Sequence, residues 1–153
     1  MIKTKRLNLS IATDQEIKKL ILEKTDEEIK QAYTEMLEGC QVHPAQRMWY
    51  AVWFMKLADG SDEIIGDLCF KGITNDGIVE IGYGIHSLYE GKGYTTEAVN
   101  ALVHWTVSQP SVTRVEAETD LENIASQKVL ANVGFVANGE IGEEGPRFTW
   151  KVG

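Results

Sequence analysis

The sequence predicts a mixed α/β fold of the α+β kind, with a largely antiparallel sheet of six to seven strands flanked by about four helices. Three observations lead there. Two Thr-x-x-Glu patterns stand in succession near the start, each able to open a helix. Short apolar stretches separated by Gly- and Asp-rich turns recur as hairpins. Finally, a strand-like stretch passes directly into a helix-like one through "YEGKGYTTEA", Tyr89 to Ala98.

In chain order, "RLNLSI" alternates Leu7, Leu9 and Ile11 and reads as a strand. "TDQE" (Thr13 to Glu16) and "TDEE" (Thr25 to Glu28) then start two helices. The second carries Ile29, Ala32, Tyr33, Met36 and Leu37 on one face, and Gly39 can end it. Residues 48–71 read as a hairpin, with aromatic-rich "MWYAVWFMKL" and apolar "IIGDLCF" on either side of "ADGSDE". Trp49, Tyr50, Trp53 and Phe54 divide between the two faces of its first strand, as core or as the wall of a pocket. "TNDG" turns into the strand Ile78 to Ile85, whose Gly82 and Gly84 mark either plain packing or a close backbone approach. A helix follows from Tyr94 and stops before Pro110. "RVEAET" is a strand, "NIASQKVLANVG" a helix closing on Gly134, and residues 135–152 a last hairpin.

At 153 residues and 43% apolar content, one domain over 1–153 can bury a sizeable core. Fifteen basic against twenty-three acidic residues give a formal charge of −8, the wrong sign for a nucleic-acid partner. An anionic ligand must therefore be held by local dipoles and a few placed cations, whereas a cationic substrate suits the surface. No window is long and apolar enough for a membrane span, and the start lacks the apolar run of a signal peptide. With only Cys40 and Cys69, far apart, the expected setting is cytoplasmic. His43, His86 and His104 are scattered, so no metal site is expected.

A lone Gly-x-Gly is a tight turn more often than a binding site. Here Gly91-Lys92-Gly93 also stands where a strand gives way to a helix, a place where bare N–H groups can meet an anion. The P-loop spacing fails, since His86 stands where its first glycine belongs and Gly93 where its Ser or Thr belongs. The dinucleotide fingerprint fails at Thr96 and Ser87. An anion nest capped by a helix dipole remains, suited to a pyrophosphate.

"EIGYGIHSLYEGKGYTTEAV" followed by "ENIASQKVLANVGF" resembles the GNAT acetyltransferase superfamily, nearest to its ribosomal-protein N-terminal acetyltransferase branch. In the family's Gln/Arg-x-x-Gly-x-Gly/Ala signature, Glu90 takes the first position, Gly93 the glycine and Thr95 the small residue; Glu and Thr are departures. Asn123, Ser126, Gly134 and Phe135 match the second element.

The resemblance implies an acetyl-CoA-dependent N-acetyltransferase acting by direct attack in a ternary complex, with no metal. Its acceptor would be a small amine or a protein N-terminus, and homodimers are common among relatives. A CoA-binding sensor without turnover is the alternative, and a nucleotide-binding module a third reading.

Under the resemblance, the backbone at Tyr83, Gly84 and Ile85 would serve the pantetheine arm and the acetyl oxygen. The loop Glu90, Gly91, Lys92, Gly93, Tyr94 and Thr95 would hold the pyrophosphate, with Glu90 turned away from it. Asn123 is either a helix N-cap or an amide for the pantetheine arm. Glu80 would be the base, with Glu118 or water as competitors. Many relatives carry a tyrosine seven residues after the asparagine as the acid for the thiolate; Leu130 stands there, leaving Ser126 or a water. Neither cysteine has the context of a nucleophile.

Overall fold

The structure, a computed structural model, describes residues 1–151. Its sheet has eight strands: β1 (Ile2–Lys3), β2 (Leu7–Ile11), β3 (Val52–Leu57), β4 (Ile64–Ile73), β5 (Ile78–Ile85), β6 (Arg114–Glu118), β7 (Val136–Ile141) and β8 (Pro146–Lys151). Their spatial order is β1-β2-β3-β4-β5-β6-β8-β7, and every neighbouring pair is antiparallel except β5 with β6. The strand beyond the six or seven expected is β1, a two-residue piece with Ile2 opposite Leu9, too short to carry a period.

Four α-helices complete the fold: α1 (Asp14–Glu23), α2 (Glu27–Val42), α3 (Tyr94–Val107) and α4 (Ile124–Val133), with short 3₁₀ turns at Pro44–Trp49 and Ser87–Tyr89. Thr13 and Glu16 form the expected capping box of α1. At α2 the cap is Asp26, one residue later than expected, because its carboxylate reaches the N–H groups of both Glu28 and Ile29. Gly39 does not end α2. A Cβ there would lie 2.7 Å from Tyr50 Cδ1, so the glycine lets the helix pack on that ring. The helix runs on to Val42 and stops before Pro44. Trp49 and Tyr50 accordingly precede β3 and are not part of it.

The core divides by sheet face. One cluster gathers Trp53, Met55, Leu68, Val79 and Ile81 against Leu102 of α3 and Leu130 of α4. The other joins Val52 and Phe54 to Ile17 of α1 and Tyr33 of α2. Full burial of each large aliphatic side chain contributes about 1.5–3 kcal/mol. Trp49, Trp53 and Phe54 are thus core residues, each at most 3% exposed. The α1–α2 pair packs on β3 and the end of β2, and Tyr33 of α2 reaches β4 through its bond to Asp67.

Candidate active site

The parallel pair β5–β6 is in register only as far as Ile81 opposite Ala117, and beyond that point the strands part. On its other edge β5 stays paired to β4, with Tyr83 opposite Leu68, Gly84 opposite Asp67 and Ile85 opposite Gly66. His86 N–H donates to Ile65 O at 2.7 Å. By alternation, the N–H groups of Gly82 and Gly84 also face β4, while those of Tyr83 and Ile85 face the gap that β6 has left. An ideal Cβ at Gly82 or Gly84 would meet only ordinary contacts, at 3.4 Å from Cys69 Sγ and 4.0 Å from Asp67 Oδ1. Packing therefore does not require either glycine.

The gap opens into a cleft of about 910 Å³ between β5, the loop before α3, and α4. Tyr83, Gly84, Ile85, Glu90, Gly91, Gly93, Tyr94, Thr95, Asn123 and Ser126 all border it. Two predicted residues do not. Lys92 sits with Nζ 5.7 Å from the centre of the Tyr89 ring, and Glu80 lies on the opposite sheet face.

Gly91 and Gly93 both have positive φ, at 73° and 81°, and Gly93 caps α3 without any side-chain bond. This left-handed conformation explains the glycines and leaves the first N–H groups of α3 uncapped by side chains toward the cleft. The loop is braced from a place that sequence reasoning did not single out. Arg6 Nε pairs with Glu97 Oε1 at 2.7 Å, Arg6 Nη1 donates to Lys92 O at 3.0 Å, and the guanidinium lies 4.1 Å from the centre of the Tyr94 ring. Burial alone would raise the Glu97 carboxyl, but bonds from Thr4 and Arg6 hold it below its ordinary value.

On α4, Asn123 Oδ1 accepts the Ser126 N–H at 3.0 Å, so the N-cap reading holds and its NH₂ group is left over beside the cleft. Ser126 Oγ lies 2.9 Å from Tyr83 Oη. Burial pushes the Tyr83 phenol up, and the Ser126 bond offsets only part of that. Tyr83 therefore remains a proton donor at neutral pH. Leu130 is fully buried in the core. Lys128 and Asn132, also missed in the sequence, border the same cleft from α4.

Glu80 and Glu118, expected as alternative bases, belong to one ion network on the other face. Arg147 bonds Glu80 and Glu116 through Nη2, each at 2.8 Å, and Glu118 through Nη1 at 2.6 Å. Lys71 Nζ adds a 2.7 Å pair to Glu80. Burial pushes Glu80 up, yet the Lys71 and Arg147 bonds outweigh it and hold the carboxyl low. The Glu144 N–H, followed by Arg147, does the same for Glu118. Both carboxylates are already bonded, Glu80 to Lys71 and Arg147 and Glu118 to Arg147 and the Glu144 N–H, and taking a proton would weaken those bonds. Cys69, nearby on β4, is pushed up to about 11 by burial and so stays a thiol. Among the described residues no group of three or more His, Cys, Asp or Glu could hold a metal, and no helix is long and apolar enough to cross a membrane.

Comparison with known proteins bears on this geometry. The model of the acetyltransferase (GNAT) domain matches residues 4–136. An uncharacterized N-acetyltransferase, YjdG, of Bacillus subtilis is 36% identical over 77 residues, covering 50% of this chain and 46% of that protein. A ribosomal-protein-serine acetyltransferase of Escherichia coli is 30% identical over 91 residues, 59% of this chain and 50% of that one. The match thus spans about half the length of these curated relatives. Among solved structures, RimL, a ribosomal L7/L12 α-N-protein acetyltransferase in complex with coenzyme A, superposes with a TM-score of 0.75 at 16% identity, over 97% of this chain and 96% of that one. With the family's model covering most of the sequence and the forked sheet and glycine-capped helix in place, the chain belongs to the GNAT acetyltransferase family.

Proposed function

We propose that this chain is an acetyl-CoA-dependent N-acetyltransferase, a single domain that moves an acetyl group to a primary amine by direct attack in a ternary complex. The observation that carries the reading is the fork at Ile81–Ala117, which exposes strand N–H groups next to an amide-rich helix start. In this reading the N–H groups at Gly91, Gly93, Tyr94 and Thr95 hold the pyrophosphate, with Lys92 and Lys128 as nearby cations. The pantetheine arm follows the gap between β5 and α4, where the Asn123 NH₂ can bond it. The acetyl oxygen lies against the N–H groups of Tyr83 or Ile85, whose dipoles stabilise the oxyanion as the tetrahedral intermediate forms.

The departing thiolate needs a proton, and Ser126 with Tyr83 behind it supplies one. The tyrosine that Leu130 replaces on the helix is answered by a phenol from the strand. Tyr83 can refill the Ser126 hydroxyl across their 2.9 Å contact. The acceptor class follows the relatives: RimL acts on a protein α-amine, and an aminoglycoside acetyltransferase shares the fold with a TM-score of 0.65. A protein or peptide N-terminus is the favoured acceptor, with small amines second.

Two measurements test this. Calorimetry should find binding of acetyl-CoA and none of ATP. A thiol-release assay should then show turnover with at least one member of a panel of short peptides, polyamines and aminosugars. Acetyl-CoA binding with no turnover on any amine makes the chain a sensor, and no binding at all rejects the site.

A further inference from the structure

A second cleft, of about 350 Å³, lies on the opposite face of β5, between that strand, β4 and the α1–α2 pair. Gly84 and Ile85 border both clefts, so the backbone of β5 is the wall they share. At Gly84 that wall carries no side chain. Directly across the register stands Asp67, whose Oδ1 is 4.0 Å from where a Cβ at Gly84 would be. Its other oxygen, Oδ2, accepts a 2.8 Å hydrogen bond from Tyr33 Oη.

Among the described residues, no Lys or Arg pairs with this half-buried carboxylate, in contrast to Glu80, Glu116 and Glu118 farther along the same face. A carboxylate so placed has the Lys24 charge nearby but no direct ion pair, and a cleft leads to it. An acceptor ammonium would supply a paired charge and leave its nitrogen beside Gly84, which also borders the first cleft.

We propose that Asp67 is the base of acetyl transfer, taking a proton from an acceptor ammonium bound in the second cleft, with Tyr33 positioning its carboxylate. This rests on the acetyl-CoA reading above. The ammonium gives one proton to Asp67, and the freed nitrogen lone pair attacks the thioester carbon where the two clefts meet at Gly84 and Ile85. As the tetrahedral intermediate collapses, the C–S bond breaks and its electron pair leaves on sulfur, which takes a proton through Ser126. The second nitrogen proton replaces that one, so the products are an amide, CoA thiol and one proton passed from Asp67 to solvent.

The electrostatics agree. Burial pushes the Asp67 carboxyl above its ordinary value, and the Tyr33 bond and the Lys24 charge offset only part of this. The groups facing it are Tyr33 from α2, Lys24 at the end of α1, Cys69 on β4 and His86 just after β5. Tyr33 is itself pushed up, by burial first and then by Asp67, and so remains the donor of their bond. Asp67 works only when ionised, so activity is lost as pH falls through its raised value.

The test uses the full chain, acetyl-CoA and whichever panel amine gives the highest kcat/KM. Asp67→Asn should lower kcat by roughly 10²–10⁴-fold, the range of a general base, and flatten the acidic limb of the pH profile. Its acetyl-CoA affinity by calorimetry should stay within about twofold of the parent. Tyr33→Phe should retain turnover but move the acidic limb to higher pH, because the lost bond had favoured the ionised carboxylate. Acceptor amines of different basicity should leave that limb in place. If Asp67→Asn turns over at the parent rate, or Glu80→Gln shows the loss instead, the assignment is overturned while the acetyltransferase reading stands. If the parent chain binds acetyl-CoA and acetylates no amine, both fall.

Discussion

Arg147→Gln should destabilise the protein at neutral pH and much less in acid, with little effect on acetyl-CoA binding. The side chains of Arg147, Glu80, Glu116 and Glu118 retain only 20%, 17%, 11% and 6% of their exposure. Removing one partner of a fully buried ion pair costs about 3–5 kcal/mol. The cost here is lower, because each carboxylate keeps one other partner: Lys71 on Glu80, Arg114 on Glu116 and the Glu144 N–H on Glu118. With that, and with water reaching the arginine, the loss comes to about 2–3 kcal/mol, or roughly 5–10 °C in Tm for a domain of this size.

The pH dependence has a definite sign. Glu80 and Glu118 are held below their ordinary values in the folded chain, so they contribute stability above about pH 4.3, the unfolded glutamate value, and lose it as pH falls through the folded values. The variant lacks the arginine's share of that contribution and keeps the shares of Lys71 and the Glu144 N–H. Urea unfolding should therefore show the full difference at pH 7 and a clearly smaller one near pH 4. An equal loss at both pH values would refute the electrostatic account and point to the packing of the arginine stem.

Gly93→Val should cut acetyl-CoA affinity at least tenfold in a folded chain, since the residue has φ 81° and an added Cβ would stand 3.4 Å from Arg6 Nη2; unchanged calorimetric affinity rejects the amide nest. Ser126→Ala and Tyr83→Phe should each slow transfer by nearer tenfold than thousandfold, about 1–2 kcal/mol, with acetyl-CoA affinity kept. Because the two hydroxyls share one hydrogen bond, the double variant should lose less than the product of the single losses, and strict multiplicativity would show that they act apart. Leu130→Tyr should lower stability by about 1–3 kcal/mol through overpacking and restore no rate to Ser126→Ala, because Leu130 is fully buried; rescue of turnover would show that the helix does present this position to the sulfur.

What the sequence made legible was local. The capping box at Thr13, the N-cap at Asn123, the left-handed Gly134 after α4 and the paired glycines before α3 are each fixed by residues within four positions of one another. Ten of the predicted site residues come to border one cleft for the same reason, since a strand, a loop and a helix start contiguous in sequence form part of its wall. Contacts set by register were not legible. Nothing near Glu80 in the sequence announces Arg147, 67 positions on, and the carboxylate reads as free until β8 folds in beside β6. Arg6 reaches the loop before α3 across a comparable separation. Asp67 gave no signal, because its meaning comes from standing opposite a glycine on the neighbouring strand. Gly39 misled in the other direction. A glycine late in a helix pattern stops a helix or admits a neighbour, and only the Tyr50 ring shows which.

The division of charge between the two sheet faces follows from the same register. The chain is acidic overall at −8, yet the acetyl-CoA reading requires it to hold an anion. Backbone dipoles can do this without a basic patch, because their field is short-ranged and aimed, while the long-range repulsion is screened over roughly 8–10 Å at physiological salt. One cluster of carboxylates lies on the far side of the sheet. There Arg147, Arg114 and Lys71 offset Glu80, Glu116 and Glu118, while among the described residues Asp67 has no ion-pair partner. The glycine at position 84 leaves the wall between the two clefts without a side chain. It lets a negative pocket and an anion-binding cleft meet across one strand of backbone, with the acidic field on the amine's side of the reacting carbon and the N–H groups on the oxygen's side.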